Sequence, residues 1–398
     1  MDINWIIILL CSLVVLSYLF DLLARRFKVP SVLLLLGAGL ALNYFARALG
    51  LRIDFTGHLL SLFGMVGLIL IVLEAALELR LERGKLRLVA EALCAAALVF
   101  VLSSLLLTLL IQQLFRAGLL LSLVHAIPLA VISSAVAIPS VATLSGAKRE
   151  FIVYESIFSD IIGILAFNLV IQDGFLQGGF FFLALLDLIY VVILSVGFSL
   201  GLILLIDRIR HHLKFFFILA VLILVYTLGK HFHLPTLLLV LVFGLLLGNL
   251  PLWAGGRLAR WVSRRRLGRE IRLMDLIVKE SAFVVRTFFF VLFGFSFDPA
   301  GLLRRETLLA GGAILGVLIL TRLIYLRLVA KMDLIPELFI APRGLITILL
   351  FYSIPPSLRI ERFSESILFL VVLATGLFMM MGLLLARDQE QLVVSANE

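Results

Sequence analysis

Charge, cysteine and long polar stretches are all scarce in this chain of 398 residues. Only 15% of the residues are charged, and the longest polar stretch, Gly255 to Asp275, is shorter than a soluble domain of roughly 50 residues or more. Cys11 and Cys94 fall in apolar segments, which excludes a disulfide framework or a cysteine-ligated metal site. Because 63% of the residues are hydrophobic, in runs that follow one another from end to end, the composition indicates a polytopic membrane protein.

Signatures of catalysis are also missing. The sequence has no His-Glu-x-x-His motif, no histidine clearly in mid-span and no second mid-membrane aspartate, so an intramembrane hydrolase lacks its nucleophile, base or metal pair. We therefore expect neither an enzyme nor a cofactor. The N-terminal MDINWIIILL has no basic residue before its apolar run, unlike a secretory signal, so we expect the first segment to be retained as a membrane helix.

What the chain does contain is a series of apolar segments, each long enough to cross a bilayer. Segmenting at charge clusters and at Gly or Pro breaks predicts an all-α membrane protein with about thirteen spans. The predicted spans are 3–24, 29–46, 58–79, 88–114, 118–145, 151–172, 178–206, 213–229, 234–251, 276–296, 306–330, 334–354 and 364–386.

The basic residues predict the orientation of these spans. Of the 34 lysines and arginines, 22 follow odd-numbered spans and 8 follow even-numbered spans. The positive-inside rule therefore predicts a protein of the cell (inner) membrane, with its N-terminus on the outside and its C-terminus in the cytoplasm. The other four basic residues lie within spans and need partners there: Lys279, Arg286, Arg322 and Arg343.

An odd number of spans favours an inverted repeat, because two six-helix halves separated by one linking helix enter the membrane from opposite sides. The sequence predicts a single transporter domain over residues 1–386, followed by a short cytoplasmic tail at 387–398. Within it, the first repeat covers about 1–172, the linking helix 178–206 and the second repeat about 213–386.

The fifth and twelfth spans carry helix-breaking residues at corresponding positions of the two halves. The fifth reads IPLAVISSAVAIPSVATLSG, with Pro128 and Pro139, and the twelfth reads LIPELFIAPRGLITILLFYSIPP, with Pro342 and Gly344. Proline removes an amide donor, so these spans are predicted to be broken, crossing helices whose freed carbonyls bind ions. Simple kinks are the alternative. The predicted carbonyl ligands of the fifth span belong to Ser133, Ser134, Ala135, Val136 and Ala137.

Asp160 lies near the middle of the sixth span, FIVYESIFSDIIGILAFNLVIQ. An ionisable group at that depth costs about 2.5 kcal/mol or more, so an ion or proton pathway is its default interpretation. Ser156 precedes Asp160 by one helical turn and lies on the same face of the helix. Glu155 and Ser159 form a second stripe, about 100° away around the helix axis. One stripe is expected to bind an ion while the other stabilises the helices.

Carboxylates elsewhere complete the predicted site. We expect Glu155 to form a structural ion pair with Arg343, and Arg286 and Lys279 to supply supporting charge. Glu74, in the third span, is expected to line the inward path. A hard cation such as sodium or lithium prefers oxygen ligands, which Asp160, Ser156 and Glu74 could supply, with Ser159 nearby. Since a proton and a cation compete for one carboxylate, the predicted outcome is exchange.

These motifs resemble the monovalent cation:proton antiporter superfamily, specifically the single-aspartate sodium/proton exchanger branch. The matching residues are YESIFSDIIGI with Glu155, Ser156 and Asp160, LEAALEL with Glu74, KESAFVVRTFFFVLFG with Arg286, and Arg343-Gly344. The resemblance implies that Asp160 carries the cation or proton, that Ser156 and Glu74 assist, and that Glu155 and Arg343 stabilise the broken helices. It also implies electroneutral exchange of sodium or lithium, with potassium a further candidate, and a role in pH homeostasis.

The sequence departs from the family pattern at two places. Ser159 stands where the family has Asn, and the fifth-span break reads SSAVAIPS where the family has Thr-Asp-Pro. A passive cation channel and a transport-inactive sensor with the antiporter fold therefore stay open as alternatives.

Expected partners are lipid, the transported cation and a second copy of the chain. GFSLG (197–201) and GLLLG (244–248) match the small-xxx-small packing pattern, which is compatible with a homodimer. The basic segment SRRRLGREIRL (263–273) can contact anionic lipid. The net charge of +9 comes largely from cytoplasmic loops and gives no argument for nucleic acid.

Overall fold

The computed structural model describes residues 3–27, 29–48, 56–79, 83–141, 144, 146–172, 180–208, 214–231, 236–250, 264–297, 299–331 and 335–396. Within these ranges the chain forms helices and short connections, and no β-strand is present. Every one of the thirteen predicted spans contains at least one helix. The all-helical prediction is thus confirmed for the described residues.

The helices are numbered here in chain order. They are α1 (Ile3–Phe27), α2 (Ser31–Ala48), α3 (Thr56–Glu78), α4 (Leu86–Phe115), α5 (Leu119–Ala130), α6 (Ser134–Ser140), α7 (Gly146–Val170), α8 (Phe180–Arg208), α9 (Lys214–His231), α10 (Thr236–Gly248), α11 (Arg264–Ser296), α12 (Arg305–Ile324), α13 (Leu345–Tyr352) and α14 (Glu365–Ala396). Shorter helical turns cover Arg83–Lys85, Pro299–Leu302 and Pro356–Leu358, and a π-helical segment, Tyr325–Ala330, extends α12.

Several of the apolar helical segments have the length that a bilayer requires. Among the described residues, 6 helical segments are long and apolar enough to cross a membrane: Ser31–Ala48, Leu86–Phe115, Leu119–Ser140, Lys148–Val170, Arg305–Ala330 and Glu365–Leu385. Four shorter apolar helical stretches accompany them: Cys11–Ala24, Ile189–Leu205, Phe215–Gly229 and Leu237–Gly248.

Helix α4 illustrates how such a helix divides its surface. Leu98, Val101, Leu105 and Leu109 recur at helical spacing, and each exposes half or more of its side chain. The small residues Ala92 and Ala96 lie on the opposite face and are buried. Large apolar groups outside and small groups inside are typical of a helix that faces lipid and packs closely on its neighbours.

The chain divides into two compact units. The first unit comprises Met1–Ser61, Ala90–Ile171 and Arg286–Glu398. Within it, α2 and α11 approach closely, since a Cβ on Gly39 would lie 2.3 Å from the Val291 carbonyl oxygen and one on Gly294 would lie 2.5 Å from that of Leu36. The Asn43 side-chain amide secures the same contact by donating to the Phe297 carbonyl at 2.9 Å.

The second unit comprises Leu62–Val89 and Gln172–Val285. Helix α10 packs against α8, and its Gly244 lies against Ala76 of α3, where an added Cβ would come within 2.5 Å of the alanine Cβ. The Asn249 side chain, just beyond α10, donates to the Leu79 carbonyl at 2.7 Å. Small residues and one buried amide therefore hold α3 to α10.

Both proline-rich spans are interrupted. Helix α5 ends at Ala130, Val131 and Ser133 have extended backbone angles, and α6 begins at Ser134. Pro128 and Pro139 lie inside α5 and α6, not in the interruption. In the twelfth span, turns at 335–339 and a non-helical stretch at 340–344 precede α13. We call 131–133 and 340–344 the first and second interruptions.

Candidate cation site

The two interruptions lie against each other in the first unit. The Ser133 backbone N–H donates to the Pro342 carbonyl at 2.9 Å, so each interruption satisfies a backbone group of the other. Gly344 leaves no space between them, because an added Cβ would lie 2.5 Å from Val136 Cγ2 and 2.7 Å from Ser133 Oγ. A side chain at 344 would therefore displace the side chains of Val136 and Ser133.

Asp160 of α7 lies beside the first interruption and is 4% exposed. Its Oδ2 accepts a hydrogen bond from the Ser134 N–H at 3.0 Å, the first amide of α6. Its Oδ1 has no hydrogen-bond partner. A buried ionised carboxylate normally accepts several hydrogen bonds or binds a cation, and Oδ1 has an unused capacity for either a proton or a cation.

The two serines on α7 differ in what they contact. The Ser159 hydroxyl accepts a hydrogen bond at 2.9 Å from the N–H of Ile132, within the first interruption. Ser159 thus stabilises the backbone beside Asp160, and its role in ion binding stays a prediction. The Ser156 hydroxyl is completely buried and donates to the Val153 carbonyl of its own helix at 3.0 Å. Its oxygen lone pairs can still accept a proton donor or contact a cation.

The carbonyls of residues 133–137 were predicted to bind the ion, and that role stays a prediction. Ser134 to Ala137 form the first turn of α6, where amides rather than carbonyls are unsatisfied, and the group that reaches Asp160 is an amide. Four of the five carbonyls accept other hydrogen bonds. The Ser133 carbonyl accepts from the N–H groups of Val136 and Ala137, and the Ala135 carbonyl accepts from Arg286. The Val136 carbonyl accepts from the Ser140 hydroxyl, and the Ala137 carbonyl accepts from the Val141 N–H.

Arg343 occupies the opposite end of the first interruption. Its Nε donates to the Leu129 carbonyl at 2.8 Å, and a terminal nitrogen reaches the Ala130 carbonyl at 3.4 Å. These are the last carbonyls of α5, which have no partner within the helix. A second terminal nitrogen donates to the Ala341 carbonyl, so one guanidinium joins α5 to the second interruption. An arginine at a helix C-terminus also stabilises its partial negative charge.

The ion-pair partner of Glu155 is Arg322, which corrects the predicted pair with Arg343. Both guanidinium terminal nitrogens of Arg322 contact the Glu155 carboxylate, one of them at 2.8 Å, and each residue is 1% exposed. The Nε of Arg322 donates to the Glu337 carbonyl at 3.2 Å. Sequence reasoning counted Arg322 among the in-span charges but assigned it no role. An arginine in an otherwise apolar span was the signal that could have identified it.

The remaining predicted residues lie in both units. Arg286 donates to the Ala135 carbonyl at 3.1 Å and so contacts α6 directly. Lys279, in the second unit, pairs with Glu78 at 3.2 Å and with Asp275 at 3.3 Å. Glu74 lies on α3 of that unit and is partly exposed, and its role as a cation ligand stays a prediction. Among the described residues, no group of three or more His, Cys, Asp or Glu side chains is arranged to hold a metal ion.

Membrane-length apolar helices with two interrupted spans beside a buried carboxylate are typical of secondary transporters. The family model described as "Sodium/hydrogen exchanger, transmembrane" matches residues 10–386, and the chain belongs to this family. It is therefore a multi-pass membrane protein of a transporter family, and the resemblance found in its motifs is confirmed. No curated protein sequence matches the chain significantly.

Two solved structures of one protein are similar to this chain over nearly its whole length. A structure of the sodium proton antiporter MjNhaP1 from Methanocaldococcus jannaschii at pH 8 has a TM-score of 0.69 and 19% identity, over 97% of this chain and 99% of that one. A second, described as an electron-microscopy map of the same antiporter, also has a TM-score of 0.69, with 18% identity over 98% and 97% of the two chains. At this identity the similarity shows the fold.

Proposed function

We propose that this chain exchanges a monovalent cation for a proton by alternating access, with Asp160 as the shared binding group. The observation that carries the proposal is the state of the Asp160 carboxylate. It is buried, one oxygen is held by the Ser134 amide, and the other has no hydrogen bond. A cation and a proton cannot both occupy it without leaving an uncompensated positive charge in a low-dielectric site, so binding of one releases the other.

The proposed substrates are sodium and lithium, with potassium as a further candidate. Ser156 would supply a hydroxyl ligand next to Asp160, and Glu74 would line the inward path. Around the first interruption, the fifth span contains Ser133 and Ser134 and no acidic side chain. With one transport carboxylate, a single positive charge moves in each direction, so the proposed exchange is electroneutral.

The proposed architecture is a pair of inverted repeats, about 1–172 and 213–386, joined by the helix at 178–206. In such folds the substrate site forms where interrupted helices of the two halves meet. The contact of Ser133 with Pro342 supports this arrangement. We further propose an outside N-terminus, a cytoplasmic C-terminus, a cell-membrane location and a homodimer that serves pH homeostasis.

The decisive experiment measures exchange in proteoliposomes with an imposed pH gradient. Sodium, lithium and potassium are added in turn, and internal pH is followed by a fluorescent dye. Asp160→Asn should abolish cation-dependent proton movement, because the amide cannot bind a proton and cation in turn. Glu361→Gln, which changes an exposed carboxylate, is the matched control and should retain exchange.

Two outcomes would contradict the proposal. Unchanged exchange in Asp160→Asn would remove Asp160 from the mechanism. Sodium flux that occurs without proton movement, and that carries current across a voltage-clamped bilayer, would instead indicate a passive channel, which has no need of coupling between two ions.

A further inference from the structure

Glu337 is a buried carboxylate that the proposed exchange at Asp160 does not use. It lies in the turn at 335–339, just before the second interruption, and is 1% exposed. Neither of its carboxylate oxygens makes a hydrogen bond. The cation beside it is Lys148 of α7, whose Nζ lies 3.1 Å from Oε1 and whose side chain is 44% exposed.

A carboxylate in this position is incompletely compensated. Removing an ionised carboxylate from water costs several kcal/mol unless good geometry and further hydrogen bonds offset the loss. Glu337 has one ionic contact and no hydrogen bond, although two carboxylate oxygens offer about four lone-pair sites. Arg322 does not fill them, because its Nε donates to the backbone carbonyl of Glu337 and its terminal nitrogens contact Glu155.

The lysine beside Glu337 is suited to leave. An ammonium group is a compact, strongly hydrated charge on a flexible stem, and the side chain of Lys148 is already near half exposure. Its departure would leave a buried anionic oxygen pair open to a small cation. Hard monovalent cations prefer such oxygen ligands.

We propose that Glu337 is a second binding site for a small monovalent cation such as sodium, and that the Lys148 ammonium occupies it when no cation is bound. Its assignment to the transported cation rests on the exchange proposed above. The site connects to the centre of the first unit in two ways. The Glu337 carbonyl accepts from Arg322, which holds Glu155, and the chain continues from Glu337 into the second interruption at Pro342.

Sodium binding at Glu337 is tested without transport in purified full-length Asp160→Asn protein, which removes the first site. The unfolding temperature is measured in detergent while NaCl replaces choline chloride at constant ionic strength. A ligand that binds only the folded state raises this temperature in a saturable way. We expect such a rise in Asp160→Asn, and its loss when Glu337→Gln is added.

Lys148→Gln provides a second variant that keeps the Glu337 carboxylate. Because it removes the competing ammonium, it should lower the half-saturating sodium concentration by about tenfold, or ~1.4 kcal/mol. Lys331→Gln, which changes an exposed lysine, is the control and should leave that concentration unchanged.

The proposal is overturned if Asp160→Asn shows no saturable sodium effect, or if Lys148→Gln leaves the half-saturating concentration as it was. The second result decides the matter even if Glu337→Gln fails to fold. Since the assay does not depend on exchange, failure of wild-type transport with a positive sodium effect would contradict the proposed function alone.

Discussion

Glu155 of α7 and Arg322 of α12 form a buried, bidentate ion pair. Both side chains are 1% exposed, and both terminal guanidinium nitrogens contact the carboxylate. Because Arg322 also donates to the Glu337 carbonyl, the pair links α7 and α12 to the turn before the second interruption. A buried pair of this kind is costly to split, since either partner alone would be an uncompensated charge.

We predict that Glu155→Met and Arg322→Met each reduce the free energy of unfolding by about 3 to 5 kcal/mol, the usual effect of splitting a buried pair. Glu155→Met combined with Arg322→Met should recover much of the loss, because apolar residues of similar volume need no charge partner. Unfolding in detergent, analysed as a double-mutant cycle, measures the coupling. Additive losses in the double variant would contradict the ion-pair interpretation.

The amide of Ser134 can be removed separately from its side chain. Ser134 is the first residue of α6, a position where proline fits the helical backbone, and Ser133 before it is extended, as proline requires. Ser134→Pro deletes the N–H that Asp160 Oδ2 accepts. Because this hydrogen bond favours the ionised carboxylate, the proton should compete better, and the half-saturating sodium concentration at a given pH should rise.

The expected rise is about tenfold to a hundredfold, since a hydrogen bond to a charged group contributes roughly 1.5 to 3 kcal/mol and each 1.4 kcal/mol is a factor of about ten. Ser134→Ala retains the amide and is the matched control in the same proteoliposome assay. If the alanine and proline variants show equal half-saturating concentrations while both remain folded, the amide does not set cation affinity.

Ser159 is predicted to stabilise the first interruption. Ser159→Ala leaves the buried Ile132 N–H without its acceptor, which should cost about 1 to 3 kcal/mol of stability. Ser159→Asn offers a carbonyl oxygen in its place and should lose less. Ser140→Ala is the control, because the Ser140 hydroxyl bonds only to the Val136 carbonyl within α6. Equal unfolding temperatures for Ser159→Ala and Ser140→Ala would argue against this role.

Gly344 is predicted to tolerate no side chain. In Gly344→Ala the new methyl group would meet Val136 Cγ2 at 2.5 Å and Ser133 Oγ at 2.7 Å, so these side chains or the backbone of the two interruptions must shift. Overpacking of this kind costs about 1 to 3 kcal/mol. Gly316→Ala, on α12 with no atom within 4 Å of its added Cβ, should leave stability unchanged or slightly improved. Thermal unfolding distinguishes the two. Adding Val136→Ala should restore part of the loss in Gly344→Ala.

Several features followed from the sequence because the bilayer imposes them locally. A span needs about 20 apolar residues, so each apolar run could be assigned without knowledge of its neighbours. The same reasoning predicts that Asp160, Glu155 and Arg343 lie deep in their spans. A charge at such depth must have a partner or a function. The motifs around Asp160 and Arg343 also led to the family that the family model confirms.

The apolar runs of the sequence could not show which charged side chains contact each other in the folded protein. Glu155 is separated by 167 residues from Arg322, and the sequence offered Arg343 as an equally charged partner. Arg343 instead donates a hydrogen bond to a backbone carbonyl at the C-terminal end of α5. The interruption begins after Ala130, although the prolines at 128 and 139 suggested other positions, because α5 and α6 accommodate both prolines.

The sequence by itself therefore determined that this is a helical membrane protein of the exchanger class with a costly aspartate in its sixth span. Only the tertiary structure decided that the Ser134 amide faces that aspartate, that Arg343 faces the carbonyl end of α5, and that Arg322 neutralises Glu155. The physical reason is that hydrophobicity acts residue by residue along the chain. Hydrogen bonds and ion pairs depend on the directions and distances of groups that meet only when the helices pack.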